Sequence, residues 1–362
     1  MQEILGQPRA IGTLRAALDS GRLHHAWIFA GPRGVGKFTT AIAFARILLE
    51  PGGETGGNGP PSRTARLIEA GTHPDLHVIQ KELALYSDNP MLRQRKLLSI
   101  PLDLIRERMI GGTTGDGKHH EPVVFRTPFF SQSKVFIIDE AELLADITQN
   151  ALLKTLEEPP ERTYLILITT RPQRLLATIH SRSHHVRFGP LDAEAMAEWF
   201  RRCALGLDPA QRAWIQRFCC GSPGIAQLAA DYGFYRWNNT LEPMIGTLND
   251  GEFPVEMGMA LADLVEEFAT AWVKRHENAS KDAANKQGAG YLLAILAAHA
   301  RGRLVDHLDA SQDADQWLAV IDLIRAAERQ LDANVNLKLV LENLVVQWAA
   351  TPQAALRHGE QR

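Results

Sequence analysis

Residues 31–37 read Gly-Pro-Arg-Gly-Val-Gly-Lys, the G-x-x-x-x-G-K spacing of a loop that wraps a phosphate in backbone N–H groups. Gly31, Gly34 and Gly36 free the backbone to do so, and Lys37 is spaced to reach the β- and γ-phosphates. Such a loop works only between a strand and a helix, because the helix N-terminus supplies the positive end that draws the anion. The flanks have that order. His25–Ala30 is a short apolar run suited to a buried parallel strand, and Ile42, Ala45 and Leu49 recur at helical spacing after the loop. One position departs: Phe38 stands where such loops carry the Ser or Thr hydroxyl that holds Mg²⁺. Thr39 is the nearest hydroxyl and a candidate nucleotide contact, but one step along a helix turns it roughly 100° away. The expectation is a pocket that binds ATP or ADP weakly, depends little on Mg²⁺ and hydrolyses poorly.

A second segment completes a site of this kind. Val135–Ile138 is apolar and ends in Asp139-Glu140, so a buried strand delivers two carboxylates to the sheet edge where ligands of parallel α/β folds bind. Asp139 would sit near a metal through water, and Glu140 would orient or deprotonate an attacking water. Alone, an apolar run before Asp-Glu is a weak motif; paired with an upstream phosphate loop it is a strong one. Thr169-Thr170 closes the next apolar run and brings a hydroxyl to the same edge, able to sense a γ-phosphate or merely to cap the strand. Ser181-Arg182-Ser183 follows, where a lone arginine is more often a solvated charge than a functional group.

The expected strands are His25–Ala30, Leu76–Ile79, Lys134–Asp139, Tyr164–Thr169 and His185–Phe188, with helices between them, as in an open parallel sheet covered on both faces. Two stretches dense in Gly, Pro or polar residues, 51–63 and 111–121, read as mobile surface insertions. Beyond Phe188-Gly-Pro-Leu191 only helical patterns remain. Asp192 is placed to cap one helix and Asp208-Pro209 to open another; in Gly221-Ser-Pro-Gly224 a stop is followed at once by a cap and a start. These breaks divide the chain into a nucleotide-binding domain over 1–189, a small helical lid over 190–236, an all-helical collar over 237–350 and a tail over 351–362.

Composition narrows the class. With 45% hydrophobic and 22% charged residues over 362, the chain has the make-up of a water-soluble globular protein of two or three domains. A net charge of −3 speaks against a dedicated nucleic-acid binder, although Arg93, Arg95 and Lys96 form a small basic cluster. Cys203, Cys219 and Cys220 lack the paired spacing of a zinc site. The doublets His24-His25, His119-His120 and His184-His185 point alternate ways and suit no shared metal. No export signal and no membrane span are visible, so a cytoplasmic location is expected.

Taken together, Lys134–Leu144 (KVFIIDEAELL), Gln149–Pro160 (QNALLKTLEEPP) and Leu175–Ser183 (LLATIHSRS) resemble bacterial clamp-loader ATPases of the AAA+ class, as do ILGQPRAIGTLRAAL, HHAWIFAGPRGVGK and the C-terminal ANVNLKLVLENL. The resemblance covers most of the chain and is weakest over 51–121 and 237–331. It implies an AAA+ fold with lid and collar, in which Gly31, Gly34, Gly36 and Lys37 form the phosphate loop, Asp139 and Glu140 the acidic strand end, and Thr170 the sensor. Arg182 matches a finger inserted into a neighbouring subunit's ATP site. Implied partners are the gamma/tau and delta subunits of a five-membered ring, with the sliding clamp and primed DNA reached through the complex. Departures favour the stator (delta-prime) type over the ATP-hydrolysing gamma/tau motor: Phe38, Gly224 where motors carry an ATP-sensing arginine, and no zinc cysteines in 51–71. Ser183 replaces a cysteine, a change expected to leave Arg182 free to act. A self-contained P-loop enzyme such as a kinase is the remaining reading.

Overall fold

Lys134 opens a strand whose five residues, Lys134–Ile138, are all buried, and around it the parallel sheet is built. The structure is a computed structural model that describes residues 4–21, 23–50, 61–94, 98–249, 252–276, 279–306 and 311–351. Most of the first insertion (51–60), Arg95 and Lys96 of the basic cluster, and nearly all of the tail therefore lie outside the described residues. Seven strands are present among them: β1 Ala26–Ala30, β2 Leu76–Ile79, β3 Gly112–Thr113, β4 His119–His120, β5 Lys134–Ile138, β6 Thr163–Thr169 and β7 His184–Arg187. Five of these form one sheet in the order β2-β5-β6-β1-β7, every neighbouring pair parallel. All five expected strands are there, with edges shifted by a residue. The order puts β1 and β5, the strands that carry the phosphate loop and the acidic pair, on either side of β6. Their C-terminal ends therefore open at one edge.

The helices that cover the sheet are α1 Pro8–Asp19, α2 Lys37–Leu49, α3 Arg63–Glu69, α4 Pro90–Arg93, α5 Leu102–Ile105, α6 Asp146–Glu157 and α7 Ala177–His180. They are followed by α8 Ala193–Arg202, α9 Pro209–Phe218, α10 Pro223–Asp231, α11 Phe234–Asn249, α12 Met257–Arg275, α13 Lys281–Asp306, α14 Ser311–Asp332 and α15 Leu337–Ala349. The expected caps form. Asp192 accepts from the Ala195 N–H at 2.8 Å, and Asp208 and Gln211 bond reciprocally at the start of α9. Ser222 accepts from the Ile225 N–H at the start of α10. None of the described helices is long and apolar enough to cross a membrane.

By its internal contacts the chain forms two compact units, Met1–Gly206 with Cys219–Gln227, and Leu207–Phe218 with Leu228–Arg362. The segment 190–236 is thus shared between them. The first unit holds the sheet, with Ile28, Phe136, Ile138, Leu152, Leu165 and Leu167 among its fully buried side chains. The second is helical, centred on an aromatic cluster in which Phe268 meets Trp237, Tyr291 and Tyr232.

The insertion 111–121 is not a loose loop. Its ends pair as the antiparallel β3–β4 hairpin, the Thr114 N–H donates to Lys118 O at 2.9 Å, and Asp116 accepts from the Thr114 hydroxyl. Thr and Asp in a Gly-rich run supply their own turn hydrogen bonds, a signal that composition alone conceals.

Gln149 on α6 decides how the segment before Arg182 is held. It is 1% exposed; its amide donates to Leu144 O and Arg174 O at 2.9 and 3.0 Å and accepts from the Leu176 N–H at 2.8 Å. Replacing Gln149 with Ala leaves one buried and two partly buried backbone groups without this partner and is expected to destabilise the first unit by about 1–3 kcal/mol. Urea denaturation followed by circular dichroism measures it; an unchanged midpoint would contradict the assignment.

Candidate functional site

The phosphate loop begins where β1 ends. The Phe188 N–H donates to Ala30 O at 2.8 Å and the Gly31 N–H to Thr169 O at 3.3 Å, so the loop leaves the sheet between its two neighbouring strands. Gly36 is the N-cap of α2 in the left-handed region, and Gly34 also has positive φ (+75°). Gln7, 4% exposed, fastens the loop from outside: its amide donates to Val35 O and Gly189 O and accepts from the Gly189 N–H. Within α2 the Thr40 hydroxyl donates to Gly36 O at 2.8 Å and is fully buried, whereas Phe38 and Thr39 face solvent. The hydroxyl nearest the loop in sequence thus faces away, and the next one is spent on the helix backbone.

Lys37 is 6% exposed and turns back into the loop, its ammonium donating to Gly31 O at 2.8 Å and Pro32 O at 2.5 Å. Burial pulls its pKa down to about 8, partly opposed by the carboxylates of Glu142 and Asp139. The start of α10 lies directly on the loop. The Gly224 N–H donates to Gly34 O at 2.9 Å and the Ser222 hydroxyl to Arg33 O at 2.8 Å. A Cβ on Gly224 would stand 2.7 Å from Gly34 Cα, and one on Gly34 would stand 2.5 Å from the Ser222 hydroxyl. Gly224 is therefore required by close packing of two backbones, a reason the sequence does not show when it is read only as a missing arginine.

At the acidic strand end each charge already has an intrachain partner. Asp139 accepts from Gln80 at 3.3 Å and from the Glu140 N–H at 3.0 Å; burial, then the Glu140 carboxylate, raises its pKa above the usual carboxylate range. Glu140 adopts a left-handed backbone (φ +52°) and its carboxylate pairs with Lys81, which is 18% exposed and follows β2. Glu142 accepts from the Thr170 hydroxyl at 2.5 Å and from the Thr170 N–H at 3.2 Å. Phosphate loop, Asp139 and Thr170 thus gather at the C-terminal edge of the sheet.

Arg182 stands apart from this cluster, just beyond α7. Its Nη1 donates to Thr178 O and the Ser181 hydroxyl at 3.1 and 3.2 Å, and its Nη2 lies 2.8 Å from the Glu157 carboxylate. These contacts hold the guanidinium from within the chain. Five residues that hold or occupy the site escaped the sequence reading: Gln7, Lys81, Glu142, Glu157 and Ser222. Glu142 and Lys81 sit next to recognised strand ends and could have been suspected from position; Gln7 and Ser222 act across 182 and 189 residues, and although Ser222 was legible as a helix cap, nothing local signals those contacts.

Residues 6–192, just over half of the chain, match the family described as DNA polymerase III, delta subunit. The delta-prime subunit of Escherichia coli DNA polymerase III is 32% identical over 215 residues, 59% of this chain and 56% of that protein. That of Bacillus subtilis is 31% identical over 194 residues, 53% of this chain and 50% of that protein. The gamma/tau subunit of Mycobacterium tuberculosis is also 31% identical over 194 residues, 54% of this chain but 29% of that protein. The matched stretch thus spans about half or less of each relative.

Two outcomes follow from the geometry. Gly224→Arg is expected to lower stability by about 1–3 kcal/mol through the clash with Gly34, and not to tighten ATP binding. Thermal melts and calorimetry test this, and tighter binding would contradict it. For Lys37, the folded pKa of about 8 lies below its ordinary value, so the buried charge penalises folding below pH 8 and the penalty lifts as pH rises toward 10.5. The stability of wild type relative to Lys37→Met should rise across that window, by at most about 3 kcal/mol. A flat difference between the two urea midpoints would refute the buried, charged lysine.

Proposed function

The chain belongs to the DNA polymerase III delta subunit family, and from that premise we propose that it is a delta-prime-like stator of the clamp loader. In this reading it helps the ATP-dependent loading of the sliding clamp onto primed DNA in the cytoplasm, beside gamma/tau and delta subunits. Its own pocket does not turn over ATP. The single observation that carries the reading is the packing of the phosphate loop, with Lys37 on the loop carbonyls and Gly224 against Gly34.

The residues present do not fit a Mg²⁺–nucleotide complex. Phe38 removes the metal's hydroxyl ligand, burial and the Glu140 carboxylate raise the pKa of Asp139, and Glu140 pairs with Lys81. No chemical step is assigned to this pocket, and weak nucleotide binding that is largely indifferent to Mg²⁺ is the most it would sustain. Arg182 is the group the subunit would contribute elsewhere. A guanidinium placed against the phosphoryl group in a neighbour's ATP site would offset the charge that builds there during transfer. The first domain (1–189) would carry these groups, the segment 190–236 would form the lid, and the helices over 237–350 would form the ring collar.

The test is the DNA-stimulated ATPase of the reconstituted complex with one altered subunit. Lys37→Ala should leave turnover at the wild-type rate, and Arg182→Ala should lower it about tenfold or more while assembly stays intact. A second reading, a gamma/tau-type motor, is favoured by the otherwise complete loop and by the 31% identity to a gamma/tau subunit. A clear fall with Lys37→Ala would select it.

A further inference from the structure

Glu157 is the last residue of α6, where the unpaired carbonyls already make the helix end negative. A carboxylate there opposes the macrodipole and needs a cation. The cation it has is Arg182, 2.8 Å away and 25 residues along the chain. The next carbonyl back, Leu156 O, lies 2.9 Å from His25 Nε2, so that nitrogen carries the proton and the helix end is tied to the residue before β1. At the other end of the same helix face, Gln149 clamps Arg174 and Leu176. Eight residues, about 12 Å of helix, separate the two clamps. The whole segment from Arg174 to Arg182 is therefore strung along α6 between Gln149 and Glu157.

We propose that Glu157 is the positioning residue for Arg182, fixing through Nη2 the direction in which the guanidinium meets an anion from a neighbouring subunit. This rests on the finger reading of Arg182 given above. A guanidinium has five N–H donors; Nη1 spends both of its own on Thr178 O and the Ser181 hydroxyl. With Glu157 against Nη2, the planar group is held at two of its three nitrogens. The Nε–H and the second N–H of Nη2 are then left for phosphoryl oxygens. Pre-orientation matters because a flexible side chain on a short turn loses rotamer freedom when it engages, and that loss appears in the transition state. Both partners are partly exposed, so the pair is not needed for folding.

The experiment places Glu157→Ala, Glu157→Gln, Arg182→Ala and the double variant Glu157→Ala/Arg182→Ala in the reconstituted complex, with assembly checked by gel filtration. Glu157→Ala should lower kcat of the DNA-stimulated ATPase about three- to fivefold with KM for ATP unchanged. Glu157→Gln, whose amide oxygen can still accept from Nη2, should recover most of the rate. In the Arg182→Ala background, adding Glu157→Ala should do nothing further. If Arg182→Ala lowers turnover but Glu157→Ala does not, the positioning role is overturned while the finger stands. If Arg182→Ala changes nothing, the finger reading fails and this inference fails with it. A fall from Glu157→Ala that persists in the double variant would show that Glu157 acts by another route and would also overturn it.

Discussion

Two glycine backbones in contact, Gly34 of the phosphate loop and Gly224 at the start of α10, set the state of the pocket. The hydrogen bond from the Gly224 N–H to Gly34 O and the bond from Ser222 to Arg33 O join residues that lie about half the chain apart. With those carbonyls engaged and α10 lying on the loop, Lys37 turns inward to the remaining ones at Gly31 and Pro32. A loop of this kind binds phosphate by pointing N–H groups and an ammonium at one empty concavity. Here the ammonium is committed to the loop's own carbonyls.

The same economy runs through the acidic edge. Glu140 has Lys81, Asp139 has Gln80, and Thr170 has Glu142. A site whose polar groups already hold one another must give up those contacts before it can grip a ligand. The elevated pKa of Asp139 belongs to this pattern: a carboxylate buried next to another carboxylate is driven toward its neutral form, the opposite of what a metal-side ligand requires. Arg182 differs in kind. It is held from one side at the exposed end of α6, with a partly open guanidinium, and so retains the capacity to meet a charge from outside.

Much of this was legible in the linear chain. The five strands of the sheet appear where apolar runs end in Gly31, Asp139 and Thr170, because a buried parallel strand must be apolar along its length and its exit must carry the polar group that works at the edge. The helix starts at Asp192, Asp208 and Ser222 were readable because a cap acts over three residues. The β3–β4 hairpin was not, since Gly-rich composition conceals the Thr114 and Asp116 bonds that order the turn. Nor was the paired state of Arg182. An ion pair between residues 157 and 182 depends on where α6 ends relative to α7, and no periodicity encodes that.

The sequence by itself determined the class of the site: G-x-x-x-x-G-K after an apolar run allows little but a phosphate loop on a parallel sheet, and Phe38 removes the metal's hydroxyl whatever the fold does around it. Only the tertiary structure decided what packs against that loop. Gly224 meets Gly34 and Gln7 reaches Val35 and Gly189, contacts across 190, 28 and 182 residues. Local rules fix what a few neighbouring residues can do with their own backbone. What fills the space in front of them is fixed by packing between distant segments, and that is written in no single stretch of the chain.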